Sequence, residues 1–176
     1  MAENGKMLHQ KEKNTDWSTE IKERVFHSFH RVPITVEELQ LKETTGTHQR
    51  VIDMVAHELI TKERIEEWKE LPGVAPGVDI SRDIVKLAAI ERHKNTGHVG
   101  LGFLGKYGLK KGAVATSIGH DSHNLVIAGV TDEDMVLAGN RVIENGGGLA
   151  IALEGKVLAD LPLPIGGLMA DEPVEV

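Results

Sequence analysis

Residues 125–153 read LVIAGVTDEDMVLAGNRVIENGGGLAIAL, and they contain the clearest helix signal in the chain. An apolar run ends at Thr131, which is followed by three carboxylates. Threonine is a favoured N-cap residue, and carboxylates in the first turn interact favourably with the positive end of the helix dipole. The glycines at 146–148 can end the helix, because glycine readily adopts a positive φ. The pattern predicts a helix over 132–145.

The predicted helix has one apolar stripe, formed by Met135, Ala138 and Val142, and this stripe should pack on a sheet. The stretch that follows, 148–163, consists of two apolar runs separated by Glu-Gly at 154–155. Such a dipeptide between two apolar runs indicates a hairpin turn. The sequence therefore predicts a strand on each side of this turn.

Four further strands are predicted before the helix. They are short apolar runs separated by glycine turns, at 83–93, 97–105, 112–119 and 124–130. Strands outnumber helices and are joined by tight turns, which favours antiparallel pairing. The predicted fold class is α+β, with a largely antiparallel sheet, tight turns and one main packed helix over 132–145.

A loop with two Pro-Gly pairs, at 71–83, is the best candidate for a domain boundary. The chain is accordingly divided into a poorly ordered lead-in with one possible short helix (1–30), a segment that leads into the domain (31–82), and an α+β domain (83–176). The short helix is expected inside 17–30, where apolar residues recur at a spacing of four. The β-branched residues of 50–55 indicate a strand, and no long helix is expected after Thr61.

Composition restricts the classes of function. The 176 residues contain no cysteine, which excludes disulfides and thiolate metal sites and is compatible with a cytoplasmic protein. The net charge of −7 and the lack of a basic cluster argue against a nucleic-acid partner. No apolar run approaches the roughly 20 residues that span a bilayer, so no membrane partner is expected.

Residues 117–124, SIGHDSHN, place a polar stretch directly before an apolar strand. The candidate substrate-facing residues belong to this stretch and to the end of the strand predicted over 83–93. They are Arg92, His93, His120, Asp121, Ser122, His123 and Asn124. An Arg–His pair at a strand end can contact an anion or a polar ligand, or the arginine can pair with a surface carboxylate. The polar stretch can equally be a turn that satisfies buried backbone groups.

A metal site in this stretch is an alternative. His120, Asp121 and His123 could bind a divalent metal, because such metals accept imidazole and carboxylate ligands. The spacing lacks the glutamate of the His-Glu-x-x-His zinc motif, so it does not single out metal binding. The glycines at 100–102 and 146–148 fit neither a dinucleotide fingerprint nor a phosphate cradle, and no Gly-x-Ser-x-Gly elbow occurs.

Three segments of the sequence are similar to one known family. They are ERH at 91–93, GLKKGAVATSIGHDSHNLVIAGVTDEDM at 108–135 and NGGGLAIALEGKVLADLPLPIGGLMADEP at 145–173. Together they resemble the C-terminal region of the bacterial and archaeal adenine deaminases, which belong to the amidohydrolase superfamily. The resemblance runs from about residue 50 to residue 173, and residues 1–30 carry little of it.

The resemblance implies an activity that this chain shares with another domain. Enzymes of the family hydrolyse adenine to hypoxanthine and ammonia, using manganese or iron held in a (β/α)₈ barrel whose ligands begin with His-x-His. This sequence contains no His-x-His, and a barrel needs roughly 250 residues. We therefore expect the C-terminal part of an adenine deaminase, which closes or supports the purine site of a barrel outside this chain. No metal is expected in the chain itself.

The expected partners are the barrel domain and, in the assembled enzyme, adenine; a homo-oligomer is also compatible with the sequence. Two alternative functions stay open. One is a purely structural or interaction module, and the other is an independent metal-dependent hydrolase that uses His93, His120, Asp121 and His123. The sequence alone does not distinguish a cloned fragment, a split-gene product and a free-standing domain.

Overall fold

The structure contains ten strands and three α-helices within the described residues. The computed structural model describes residues 2–3, 6–7, 18–26, 28–41 and 46–170. Its elements are β1 (Ala2–Glu3), β2 (Lys6–Met7), α1 (Thr19–Phe26), α2 (Val36–Leu39), β3 (His48–Met54), β4 (Thr61–Glu67), β5 (Ile84–Ile90), β6 (Val99–Gly105), β7 (Ala113–Thr116), β8 (Leu125–Gly129), α3 (Asp132–Glu144), β9 (Gly148–Leu153) and β10 (Lys156–Pro162). Within these ranges, no helix has the length and apolar character needed to cross a membrane.

Eight strands form one sheet in the order β10-β9-β7-β8-β5-β6-β3-β4, while β1 and β2 pair separately. Neighbouring strands of the large sheet are antiparallel except β3 and β6, which are parallel. The predicted α+β class with a largely antiparallel sheet is confirmed. The six strands predicted around the main helix are confirmed as β5 to β10.

The main helix begins where the cap signal predicts. The Thr131 hydroxyl accepts a hydrogen bond from the Asp134 N–H at 3.4 Å, as an N-cap side chain should. The Asp134 carboxylate in turn accepts from the N–H groups of Glu154 and Gly155 at 3.1 and 2.9 Å. The start of α3 is therefore tied to the turn of the β9–β10 hairpin, which was predicted at these two residues.

The apolar stripe of α3 packs on one face of the sheet, over a layer of small side chains. Met135, Ala138 and Val142 are fully buried, as predicted, and share a core cluster with alanines of β7 and β9. The glycine run does more than end the helix. A Cβ on Gly148, which has φ +128°, would lie 1.9 Å from the Leu161 carbonyl oxygen, so the pairing of β9 with β10 requires glycine there.

The segment before residue 83 adds two strands to the same sheet. β3 covers most of the strand predicted over 50–55, and the Glu- and Lys-rich stretch after Thr61 forms the edge strand β4. Its charged side chains are compatible with an edge position, where Arg64 pairs with Asp53 at 3.0 Å and with Glu66 at 2.6 Å. Strands from both sides of the Pro-Gly loop thus share one sheet, and the domain boundary at 83 stays a prediction.

The predictions for the first 30 residues are only partly covered by the structure. The short helix expected inside 17–30 corresponds to α1. Besides α1, the structure describes only 2–3, 6–7, 18 and 28–30 of the predicted poorly ordered lead-in, including the short pair β1 and β2. That part of the prediction stays open.

Candidate functional site

The predicted site residues lie together at one edge of the sheet, where several strands begin or end. Between antiparallel neighbours, the end of one strand lies beside the start of the next, so the ends of β5 and β7 meet the starts of β8 and β9. Arg92 and His93 follow β5, and residues 117–124 connect β7 to β8. The structure therefore brings all seven candidates to the same edge.

Arg92 lies beneath this connection rather than on its surface. The residue is only 1% exposed, and its Nε donates to the His123 carbonyl at 2.5 Å. Its Nη2 donates to the Gly166 carbonyl at 3.0 Å, and its guanidinium carbon lies 4.9 Å from the centre of the Phe29 ring. Burial lowers the pKa of the guanidinium, which still remains charged at neutral pH. Arg92 therefore joins three segments that are distant in sequence.

The loop after β10 forms the other wall around Arg92. A Cβ on Gly167 would lie 2.9 Å from both terminal nitrogens of Arg92, so the guanidinium fits only against a glycine. The fully buried Ser117 hydroxyl donates to the Gly167 carbonyl at 2.5 Å and accepts from the Gly148 N–H at 2.7 Å. Sequence reasoning did not include Ser117 and Gly167 among the site residues. The sequence signal that could have identified Gly167 is the Gly-Gly pair in LPLPIGGLM. No helix among the described elements directly precedes this pair, so its glycines are not explained as a helix end.

His93 supports the same turn from its other side. Its Nε2 lies 2.9 Å from the Ser122 carbonyl, which requires a proton on that nitrogen. Arg92 and His93 thus hold the carbonyls of two successive residues, Ser122 and His123. The backbone of the turn is fixed by side chains of the Glu-Arg-His segment, while the side chains of His120, Asp121 and Ser122 are exposed.

The turn itself has an unusual backbone and an exposed tip. Asp121 and His123 have φ of +66° and +47°, and the His123 N–H donates to the Gly119 carbonyl at 3.0 Å. The side chains of His120 and Asp121 are 84% and 89% exposed, and His120 Nδ1 lies 3.2 Å from Asp121 Oδ1. Asn124 is half-buried at the start of β8. The turn therefore presents an imidazole, a carboxylate and the Ser122 hydroxyl to solvent.

The residues proposed as metal ligands are not arranged as a ligand set. His123 Nδ1 accepts from the Gly119 N–H at 3.4 Å, so this ring faces the base of the turn while His120 points outward. Among the described residues, no three His, Asp or Glu side chains come close enough together to hold a metal ion. The geometry therefore gives no support to a metal centre at His120, Asp121 and His123, or to one that adds His93.

Glu91 organises the loop that follows β5. Its carboxylate accepts hydrogen bonds from the backbone N–H groups of Thr96, Lys94 and His93 at 2.9, 2.8 and 2.6 Å. These bonds, led by that of Thr96, hold the pKa of Glu91 at about 2, against an ordinary value of 4.5. The anionic form of Glu91 therefore shapes the segment that carries His93.

We predict that Glu91→Gln lowers the melting temperature at neutral pH, because the amide offers one carbonyl acceptor where the carboxylate offers two oxygens. The folded pKa lies below the ordinary one, so this stabilisation is complete above about 4.5 and is lost as the pH falls towards about 2. Circular dichroism melts over this pH range should show the wild-type and variant curves converging in acid. A difference that is independent of pH would contradict the prediction.

Comparison with known proteins identifies the family. The model of the adenine deaminase C-terminal domain matches residues 58–176, and the chain belongs to this family. It is 40% identical to the adenine deaminase of Lysinibacillus sphaericus over 99% of this chain and 29% of that protein. It is 48% identical to the adenine deaminase of Oleidesulfovibrio alaskensis over 85% of this chain and 26% of that protein, and 50% identical to that of Kosmotoga olearia over 72% and 22%.

Two facts follow from these matches. The chain spans roughly a quarter of the length of the curated relatives it matches, between 22% and 29% for those named here. The alignment with the Lysinibacillus protein covers nearly the whole chain, so the similarity extends beyond the range of 50–173 expected from the sequence motifs. Whether any of the seven candidate residues contacts a substrate stays a prediction.

Proposed function

We propose that this chain is the C-terminal part of an adenine deaminase and takes part in the hydrolysis of adenine to hypoxanthine and ammonia. The observation that carries the proposal is the 40–50% identity with adenine deaminases, each of which is several times longer than this chain. The missing length leaves room for a separate catalytic domain, which we propose to be a barrel of the amidohydrolase superfamily. The complete enzyme is proposed to be cytoplasmic, in keeping with the absence of cysteine.

The metal of the proposed enzyme, manganese or iron, would be held outside this chain. The donor groups at the sheet edge do not fit such an ion, since His123 faces inward and only His120 and Asp121 are close together and exposed. When bound in the complete enzyme, a divalent metal lowers the pKa of a water molecule and so supplies a nucleophile. The residues of this chain would therefore bind or orient the purine rather than activate water.

The turn over 119–124 is suited to that task. Its exposed tip offers a donor or acceptor in His120, an acceptor in Asp121 and a hydroxyl in Ser122, which complement the ring nitrogens and exocyclic amine of adenine. Its backbone is held by Arg92 and His93 from below. A polar tip on a fixed backbone can contact a ligand with little loss of conformational entropy on binding.

The proposal is tested by incubating the complete protein with adenine and manganese and measuring ammonia release. The 176-residue chain alone is the control, and it should release none above buffer. Inactivity of the complete protein on adenine would contradict the proposed activity. Turnover by the chain alone that survives repurification would instead support the alternative of an independent hydrolase.

We predict that His120→Ala lowers kcat/KM of the complete enzyme by about twofold to 140-fold, because a lost hydrogen bond costs about 0.5–3 kcal/mol and about 1.4 kcal/mol corresponds to a tenfold change in rate. The melting temperature should be unchanged, since the His120 side chain is 84% exposed. His57→Ala is the control, because His57 is also an exposed histidine and lies outside the site.

The opposite result favours the interaction module. Unchanged kcat/KM in His120→Ala, together with unchanged activity in Asp121→Ala and Ser122→Ala, would mean that the tip does not reach the purine. The chain would then contribute only stability or assembly. The face of the sheet that α3 leaves uncovered carries no charged residue in β6 to β9, and this observation favours the second candidate.

A further inference from the structure

The sheet has a second face, which no α-helix among the described elements covers. α3 packs on β7, β8 and β9 from one side only, where the main core cluster lies. On the other side, paired residues of six neighbouring strands form one row, which we call the open face. The row consists of Gly100, Ala89, Val126, Thr116, Leu149 and Leu161.

The open face is exposed near the ends of two interior strands, β5 and β6. Ala89 lies in β5, with a paired strand on either side, yet it is exposed, and so is its partner Gly100. Towards the β10 edge, Leu161 is 53% exposed and Ile151, on the same face, is 43% exposed. Central strands normally bury both faces or place polar side chains on the solvated one. The open face does neither.

The open face also lacks charge. Within the five central strands, β5 to β9, the only ionisable residue is Lys86. Lys86 lies on the opposite face, where it is fully buried against Asp132 of α3. No charged side chain of β5 to β9 therefore lies on this face, while Lys156 of β10 pairs with Leu153 at its border. A contiguous apolar surface of this kind marks an interaction site.

One end of the same face is already covered by apolar side chains of this chain. Val85 and Ala128, at the far end of β5 and β8, are buried beneath Ala75 and Val78 of the Pro-Gly loop. Apolar side chains of this chain therefore cover one end of the face. In the row from Gly100 to Leu161 they leave Gly100, Ala89 and Leu161 exposed and the other three residues half-buried. The exposed part can take an apolar partner from outside the described residues.

We propose that the open face is the surface on which the remaining part of the adenine deaminase packs. This inference rests on the proposed function. About three quarters of each named relative lies outside the region matched by this chain, which is more than enough to cover the face. A second copy of this chain fits less well, because each copy carries a net charge of −7 and the two would repel.

The position of the row gives this contact a functional consequence. Thr116 and Val126, at the middle of the row, flank the turn over 119–124 on either side. A domain that packs on the open face therefore lies beside His120, Asp121 and Ser122. Packing of the remaining part of the enzyme on the open face would therefore also bring it next to the polar tip.

The absence of cysteine allows a direct test. Ala89→Cys introduces a single thiol on the open face, and Leu59→Cys introduces one at a control position that is 95% exposed in the β3–β4 turn. The rate of reaction with a thiol reagent is measured in the 176-residue chain and in the complete deaminase that contains it. The Ala89→Cys thiol should react at least about tenfold more slowly in the complete enzyme, because access controls thiol reactivity. The Leu59→Cys thiol should react at the same rate in both.

Each other outcome overturns the inference. Equal reactivity of the Ala89→Cys thiol in both proteins would show that the remaining part does not pack there. Protection in the chain alone that rises with concentration, with a matching dimer in sedimentation, would assign the face to a second copy. Ammonia release from adenine is measured on the same samples. An active enzyme with a reactive thiol rejects only the docking surface, whereas inactivity of the unsubstituted complete protein rejects the proposed function.

Discussion

Replacing Asp132 with alanine is expected to lower the free energy of unfolding by about 3–5 kcal/mol, because it leaves a buried ammonium group without its partner. Lys86 is fully buried in β5, and its Nζ donates to Asp132 Oδ1 at 2.6 Å. The Asp132 side chain is itself only 11% exposed. The unpaired ammonium would have to admit water into the core or lose its proton, and both cost free energy.

Replacing the other partner of the pair, Lys86, should destabilise the protein much less. Lys86→Met keeps a side chain of similar volume and removes the buried charge, so its cost is expected to stay below about 1.5 kcal/mol. Asp132 then loses its partner but remains in the first turn of α3, where the helix dipole still favours a carboxylate. The pair is therefore predicted to be asymmetric, with the aspartate far more sensitive than the lysine.

Urea unfolding followed by circular dichroism measures both changes. Glu133→Ala is the matched control, since it removes an exposed carboxylate from the same turn of α3 and should cost only about 0.3–1 kcal/mol. Equal losses for Asp132→Ala and Glu133→Ala would mean that the buried ammonium does not depend on Asp132. A loss in Lys86→Met as large as that in Asp132→Ala would remove the asymmetry.

The parts of the fold that the sequence predicted correctly are those with local signals. Thr131 and the carboxylates after it define the start of α3 within a few residues of chain. The Glu-Gly pair at 154–155 likewise defines a hairpin, because Glu154 and Gly155 adopt φ of +52° and +75°. In both cases the residues that determine the conformation are neighbours in sequence, so no knowledge of the tertiary fold was needed.

The parts that escaped prediction depend on long-range contacts. The charged stretch at 61–67 forms a strand because β3 pairs with it and the other side is an open edge, which its own composition does not reveal. Lys86 looks like an ordinary polar position in a strand, and only the packing of α3 brings Asp132 to it. The sequence predicts Arg92 as a substrate-facing residue because it ends a strand, and that stays a prediction; its buried contacts with His123 and Gly166, which are 31 and 74 residues away, have no local signal.

Replacing Arg92 with methionine is expected to cost about 2–4 kcal/mol of stability, because each hydrogen bond from a charged donor contributes about 1.5–3 kcal/mol and relief of guanidinium burial offsets part of the loss. The carbonyls of His123 and Gly166 would lose their donor, and the contact with the Phe29 ring would lose its charge. Arg92→Lys should recover little, since a single ammonium cannot reproduce the planar arrangement that reaches both carbonyls.

Arg50→Met is the matched control, because Arg50 is 76% exposed and its pair with Glu63 should contribute at most about 1 kcal/mol. Hydrogen exchange adds a readout that a general loss of packing would not produce. The N–H groups of Ser122 and His123 bond within the turn, so in Arg92→Met they should exchange faster relative to those of β5, measured under conditions where the variant stays folded. A variant that loses stability but keeps the turn protected would show that Arg92 supports the core without holding the turn. Selective loosening of the turn, accompanied by a fall in kcat/KM of the complete enzyme, would link the buried guanidinium to the polar tip that it positions.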